Sequence, residues 1–179
     1  MSLDNVLQPH IGVFGAIGWH ALANVELQAM DMVINGAGYD LALAVASLQV
    51  PTVFASSVSD GKTMELMRMD LEEHGLQDML LRVPGLTFTG SVAWYEHGQE
   101  RLMRAHPCFD VEYPESFLVN LVQKCPFLLV ELGFSTPTLQ CLHREARAQQ
   151  KTLLWVARSR SDWEKLMMQP EWQDCNVFV

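Results

Sequence analysis

The regular alternation of strand-like and helix-like segments after residue 115 constrains the fold more than any other feature of the chain. Short runs rich in β-branched and aromatic residues are separated there by segments of helical length. The predicted elements are helix Glu115–Val122, strand Phe127–Leu132, helix Thr136–Gln149, strand Thr152–Val156, helix Ser161–Met168 and strand Asn176–Val179. Repeated alternation of this kind predicts a parallel sheet with helices covering its faces. The chain is therefore expected to have an α/β fold.

A glycine-containing turn at Asn35–Asp40 opens an Ala- and Leu-rich run that continues to Leu48. Two glycines let the backbone turn tightly and approach a neighbour or a ligand closely, and the run predicts a helix that is almost wholly buried. Exposed amides at such a helix start suit an oxygen-rich ligand, but the same glycines also serve a turn that only packs. Both interpretations stay open on the residues alone.

The first half of the chain contains further strand and helix signals. Predicted segments are a first strand at Ile11–Ile17, extended segments across Ala23–Val33, a strand at Thr52–Val58, a helix after Asp60-Gly61 that carries Met64, Met67 and Leu71 and stops at Gly75, and a strand at Met79–Val83. His20 follows the first strand. Ligands collect at the carboxyl ends of strands in open α/β sheets, so His20 is a candidate contact, although a lone histidine there often has only a structural hydrogen bond.

A predicted hairpin interrupts this alternation. Strand Thr87–Trp94 and strand Arg101–Ala105 flank a polar turn at residues 95–100. We expect the hairpin to project from the main layer as a lid. Trp94 and Arg104 would then face a ligand or a partner chain, or else pack on the opposite strand.

Composition excludes several classes of function. Lys plus Arg number 12 against 21 Asp plus Glu, and a net charge of −9 argues against nucleic-acid binding. No basic segment leads into a long apolar run, and no stretch has the 18 or more apolar residues of a membrane span, so we expect a soluble, cytoplasmic protein. The four cysteines form no Cys-x-x-Cys pair, and Cys141 with His143 does not make a metal site, so reduced thiols and no metal are expected.

The order of these motifs resembles the N-terminal part of the ribokinase-like (PfkB) carbohydrate kinase family. The resemblance is carried by Gly12-Val13-Phe14-Gly15, by Asn35-Gly36-Ala37-Gly38-Tyr39-Asp40 opening the Ala-rich helix, by Leu48–Ser57, by Asp60 with the helix ending at His74-Gly75-Leu76, and by the hairpin from Thr89-Gly90 to Arg104. Phe127–Gly133 is similar to the strand that re-enters the main sheet, with Gly133 at its ligand-facing end. The shared order covers nearly the whole chain.

The resemblance implies a Rossmann-like three-layer α/β/α domain with a small β lid. It implies one domain over residues 1–179, lid segments at about 18–34 and 87–112, and a sugar or polyol bound between lid and main layer. Family members commonly have an Asp at the end of the first strand and an Asn after a Gly-Gly turn; this chain has His20, Asn35-Gly36 and Asp40 there. The predicted substrate-binding residues are His20, Asn35, Gly36, Gly38, Asp40, Trp94, Arg104 and Gly133, and no catalytic or metal-binding residue is assigned.

The resemblance also implies what a complete family member adds. Its second signature, a Gly-Ala-Gly-Asp run that forms an anion hole and supplies the base, lies in a C-terminal half that follows the region matched here, which stops at Val179. A complete member would use ATP and Mg; neither is expected to bind to this chain. The prediction is thus the sugar-binding half of a carbohydrate kinase, without the nucleotide site.

Two alternatives come from different classes of protein. The chain is alternatively an inactive ribokinase-like module that forms a homodimer through its lid or through an open sheet edge at Asn176–Val179. A dinucleotide site at Gly36-x-Gly38 is less well supported, because Leu41 occupies the position where that fingerprint needs Gly or Ala.

Overall fold

The structure is a computed structural model that describes residues 11–24, 29–59, 61–86, 90–96, 99–105, 107–172 and 176–178. Its strands and helices are, in chain order, β1 (Ile11–Phe14), β2 (Gly18–Asn24), β3 (Ala29–Asn35), α1 (Ala37–Ser47), β4 (Thr52–Val58), α2 (Lys62–Glu73), β5 (Gln77–Arg82), β6 (Gly90–Glu96), β7 (Gln99–Ala105), α3 (Glu115–Lys124), β8 (Phe127–Glu131), α4 (Thr136–Ala148), β9 (Thr152–Val156), α5 (Arg160–Met167) and β10 (Asn176–Phe178). Short 3₁₀ turns lie at Pro107–Asp110 and Pro170–Trp172.

The main sheet is parallel throughout. Its six strands lie in the order β10-β9-β8-β1-β4-β5, and every neighbouring pair runs in the same direction. All seven residues of β4 are buried, as expected for a strand with helices over both faces. The predicted α/β fold is confirmed.

Two apolar layers hold the helices on this sheet. Neighbouring residues of a strand point to opposite faces, so Val13 belongs to the layer under α1 and α2 while Phe14 belongs to the layer under α3 and α4. The largest fully buried side chains of the second layer include Trp155 and Trp172. The arrangement is a three-layer α/β/α structure.

A second, four-stranded sheet forms the lid, in the order β3-β2-β6-β7. The hairpins β2–β3 and β6–β7 are antiparallel, and β2 pairs with β6 in parallel. The hairpin predicted around residues 95–100 is therefore present, and it pairs with a strand that precedes it by about 70 residues; His20 and Ser91, which lie opposite each other, are 71 residues apart.

Local signals explain several helix ends. Helix α2 stops where Gly75 adopts φ +71, and two hydrogen bonds complete the turn: Leu76 N donates to Leu71 O at 2.8 Å and Gly75 N donates to Glu72 O at 2.9 Å. At the start of α5, the hydroxyl of Ser159 accepts from Asp162 N at 3.1 Å. The predicted stop at Gly75 is confirmed, and Met67 and Leu71 are buried as the methionine stripe predicted.

Two structural expectations were wrong. Helix α1 is not almost wholly buried: Gly38, Tyr39 and Ala42 are buried, whereas Asp40 and Ala44 are exposed, because α1 contacts β1 and β4 along one side only. The first strand ends at Phe14 rather than at residue 17, because the chain leaves the main sheet there and enters the lid at Gly18.

The structure describes three of the four cysteines. Cys108 and Cys125 are buried free thiols and Cys141 is partly buried; Cys175 and Asp60 lie outside the described residues. Among the described helices, none has both the length and the apolar composition of a bilayer-spanning segment.

Leu128→Ala should destabilise the protein by about 3 kcal/mol, because Leu128 is 0% exposed on the central strand β8 and its loss leaves a cavity. Leu48→Ala is the matched control, since Leu48 is 75% exposed and should cost less than about 0.5 kcal/mol. Urea unfolding of the two variants measures both values. Equal losses would contradict the assignment of the core.

Candidate functional site

The glycine turn packs directly against the segment that leaves β1. A Cβ added to Gly15 would lie 2.5 Å from Gly38 Cα, and one added to Gly38 would lie 2.7 Å from the carbonyl carbon of Gly15. Tyr39 N donates to Ala16 O at 3.2 Å, which ties the start of α1 to the same segment. These two stretches of backbone touch because neither glycine has a side chain.

Gly36 begins this turn in a conformation that side chains rarely adopt. Its φ is +155, and an added Cβ would lie 2.9 Å from the carbonyl carbon of Ala16. Gly36 O accepts from Asp40 N at 2.7 Å, so the first turn of α1 starts immediately after it. Gly36 and Gly38 therefore serve packing, and the same packing leaves the helix start next to the carboxyl end of β1.

A buried carboxylate joins β8 to this turn. Glu131, the last residue of β8, is 1% exposed and accepts a hydrogen bond from Ala16 N through Oε2. Burial raises the pKa of Glu131, while Arg158 and the amides of Ala16 and Gly38 oppose that rise. Glu131 thus holds the segment after β1 and the glycine turn at the carboxyl edge of the sheet.

Arg158 lies on the other side of this carboxylate. Its Nε is 2.8 Å from Glu131 Oε1, an ion pair that lacks hydrogen-bond geometry, since Oε1 accepts no hydrogen bond from the described residues. Sequence reasoning missed both residues. The available signal was an acidic residue at the carboxyl end of the apolar run Phe127–Leu132.

His20 lies in the lid rather than at the end of β1. It is the third residue of β2, and its Nδ1 is 2.6 Å from the hydroxyl of Ser91 on β6. Ser91 pairs in turn with Arg104 of β7, so positions 20, 91 and 104 form a row across three strands on one lid face. The side chain of Arg104 lies outside the described part of the chain.

Trp94 does not share that face. It pairs with Ala23, and strand alternation places Trp94 opposite to Ser91 on β6. The structure therefore brings His20 and position 104 together and separates Trp94 from them.

Asn35 and Asp40 flank the glycine turn, and both are exposed. Asn35 ends β3, and Asp40 lies in the first turn of α1, where partial burial raises the pKa of its carboxyl group. An amide and a carboxylate at the two ends of one turn can donate to and accept from hydroxyl groups. The structure thus gathers Asn35, Gly36, Gly38 and Asp40 at one place.

Gly133 lies beside Glu131 and is partly buried. An added Cβ would meet the ring of Phe109 at 2.8 Å, and the guanidinium carbon of Arg158 lies 5.3 Å from the centre of the same ring. Gly133 therefore contacts Phe109. In the described part of the chain, no group of three or more His, Cys, Asp or Glu side chains is placed to hold a metal ion.

This architecture, a parallel sheet between two helical layers with a β lid beside its carboxyl edge, is the ribokinase-like fold. The likeness is shown by solved structures, and the predicted resemblance is confirmed at the level of the fold. No family model matches the chain, and no curated protein matches it.

Three solved structures illustrate the match. A carbohydrate kinase from Agrobacterium tumefaciens has a TM-score of 0.76 at 17% identity, over 88% of this chain and 56% of its own. A ribokinase from Arabidopsis thaliana, complexed with ribose and ATP, has a TM-score of 0.71 at 13% identity, over 86% of this chain and 55% of its own. A ribokinase from Giardia lamblia has a TM-score of 0.67 at 11% identity, over 86% of this chain and 52% of its own. The chain spans a little over half the length of these kinases.

Gly38→Ala should destabilise the protein by about 3 kcal/mol or more, because the new methyl group would collide with backbone atoms of Gly15 that cannot rotate away. Gly75→Ala is the control: it has open space around an added Cβ and only a left-handed φ of +71, which should cost about 1 kcal/mol. Chemical unfolding compares the two. A smaller loss for Gly38→Ala than for Gly75→Ala would contradict the proposed contact.

Proposed function

We propose that this chain is the sugar- or polyol-binding half of a PfkB-type carbohydrate kinase. The observation that carries the proposal is the glycine turn: it packs on the segment after β1, is held there by Glu131, and exposes Asn35 and Asp40 at its ends. Ligands of open α/β sheets bind outside the carboxyl ends of the strands, which is where this turn lies.

The groups around the turn fit hydroxyl-rich ligands. Asp40 accepts hydrogen bonds, Asn35 donates and accepts, and His20 on the lid does either according to its tautomer. Burial of a ligand between the turn and the lid would strengthen each of these bonds by excluding water. The proposed substrate-binding set is His20, Asn35, Gly36, Gly38 and Asp40 with position 104, while Trp94 and Gly133 have a weaker case because of where they lie.

Phosphoryl transfer would need groups beyond this chain. Such a transfer depends on positioning, charge stabilisation and a placed base, for which a complete kinase of this type is expected to use ATP and Mg. The chain spans a little over half of the kinases it is similar to, and one of them was solved with ribose and ATP. We therefore assign substrate binding to this chain, with the ATP site and the base supplied elsewhere.

The proposed location is the cytoplasm, where ATP is available. The three described cysteines are free thiols, and burial raises the pKa of Cys108 to about 12 and that of Cys125 to about 11. Unreactive packing thiols of this kind are typical of a reducing compartment.

Calorimetric titration with a panel of sugars and polyols should detect a ligand, and Asp40→Asn should weaken its affinity about tenfold or more by removing a charged acceptor. Asp78→Asn is the control: Asp78 pairs with Arg68 near the amino end of β5, at the far edge of the sheet, and its replacement should change affinity less than about twofold. Nucleotide binding without sugar binding would refute the assignment.

The second candidate function, a homodimeric interaction module, is favoured by the surface of the lid. Large apolar side chains are exposed on both of its faces: Leu22 (39%) and Val33 (53%) lie on the face of His20, and Met30 (61%), Met32 (48%) and Met103 (54%) lie on the opposite face. One row, Met32–Ala21–Val92–Met103, crosses all four strands on the face opposite to His20. Exposed apolar patches of this kind mark interaction surfaces. We propose that this face pairs with a second copy, in preference to the sheet edge at β10.

Light scattering should show a dimer for the native chain and a monomer for the double variant Met32→Lys with Met103→Lys. In a dimer of that variant, each subunit would have to bury two ammonium groups against the apolar row of its partner. Met69→Lys is the control, since Met69 is 65% exposed on α2, away from the lid. A native monomer, or a dimer that survives both lid substitutions, would exclude this interface.

A further inference from the structure

The candidate site depends on a carboxylate that is buried far more deeply than its counter-ion. The side chain of Glu131 is 1% exposed, whereas that of Arg158 is 32% exposed, and 2.8 Å separates Arg158 Nε from Glu131 Oε1. A carboxylate taken out of water is costly unless a cation and hydrogen bonds compensate it. Oxygen Oε2 receives the amide of Ala16, so Oε1 relies on Arg158 alone among the described residues.

Arg158 is itself fixed from two directions. Its backbone N donates to Asp162 Oδ2 at 3.1 Å, and its guanidinium carbon lies 5.3 Å from the centre of the Phe109 ring. Phe109 in turn packs on the Cα of Gly133, where a side chain would collide with the ring. The guanidinium is therefore held in place by the loop before α5 and by the segment that follows the lid.

We propose that Arg158 is a positioning residue for the candidate site: by its ion pair it holds the carboxylate of Glu131 against the amide of Ala16, and so fixes the segment after β1 on which the glycine turn packs. This inference rests on the proposed sugar-binding function for its consequence, but its structural part stands on the contacts of Glu131. In this role Arg158 makes no contact with the ligand and acts only through Glu131.

The charges around Glu131 determine what the loss of Arg158 does. Besides Arg158, the groups that face it are the carboxylate of Asp162, which raises its pKa, and the thiol of Cys108, which stays protonated because burial raises its own pKa to about 12. Burial is the largest effect and raises the pKa of Glu131, and Arg158 is the strongest opposing influence. Without the guanidinium, Glu131 becomes protonated at a higher pH and its hydrogen bond from the amide of Ala16 weakens.

The amide of Ala16 is the reporter for the experiment, because it donates directly to Glu131. The ¹⁵N–¹H signal of Ala16 is followed across about pH 4 to 9 in the native chain and in Arg158→Met, Arg158→Lys and Arg144→Met. Arg158→Met should move the midpoint of the Ala16 titration upward by about one pH unit or more. Arg158→Lys, which keeps the charge, should show a smaller upward shift. Arg144→Met should leave it unchanged, because Arg144 pairs with Glu115 and Glu145 on the surface.

Sugar titrations on the same four proteins separate the inference from the proposed function. At neutral pH, Arg158→Met should weaken the affinity of the sugar found by the panel about tenfold, with Arg158→Lys intermediate. If the native chain binds no sugar while the Ala16 midpoint shifts as expected, the proposed function fails and the positioning role stands. An unchanged midpoint in Arg158→Met overturns the positioning role. If that variant does not fold, Arg158→Gln, which is polar but uncharged, is measured in its place, and a midpoint in it that matches Arg144→Met overturns the role equally.

Discussion

Contact between two glycines sets the geometry on which the rest of the candidate site depends. The backbones of Gly15 and Gly38 touch, so the start of α1 lies against the segment that carries the chain out of the main sheet. Because protein interiors are close-packed, one added methyl group at this contact has to displace backbone rather than a flexible side chain. The positions of the polar groups of the site, including the side-chain amide of Asn35 and the carboxylate of Asp40, depend on that contact.

The ion pair of Glu131 and Arg158 stabilises this contact. At the carboxyl end of the central strand β8, Glu131 accepts a hydrogen bond from the amide of Ala16. Arg158, which follows the neighbouring strand β9, compensates the charge of this buried carboxylate. The two strands are adjacent in the sheet, although their final residues are separated by a whole helix in the chain. A parallel sheet therefore brings distant loops to one edge, and a single ion pair there links them.

Much of this fold could be predicted because the local sequence signals agree with the strands and helix ends of the structure. Strands β4 and β9 coincide with the runs Thr52–Val58 and Thr152–Val156, and α2 stops at Gly75 because only a residue tolerant of positive φ completes the turn. The burial of α1 could not be predicted in the same way, since Asp40 is its one charged residue and the Ala, Leu and Val residues that follow do not show which side meets the sheet. Glu131 and Arg158 escaped prediction for a similar reason: a charged residue at the end of an apolar strand reveals nothing about its partner until the strand order is known.

The parallel pairing of β2 with β6 has a consequence for the lid as a unit. Its two hairpins are separated in the chain by α1, β4, α2 and β5, which belong to the main α/β layers, and His20 and Ser91 meet across 71 residues. Closing a loop of that length costs conformational entropy, and the folded main sheet removes most of that cost by bringing the ends together. An isolated two-stranded hairpin is marginally stable at best in water. The lid is therefore not a segment that can be excised or transplanted; it is a sheet that exists only where the main layer assembles it.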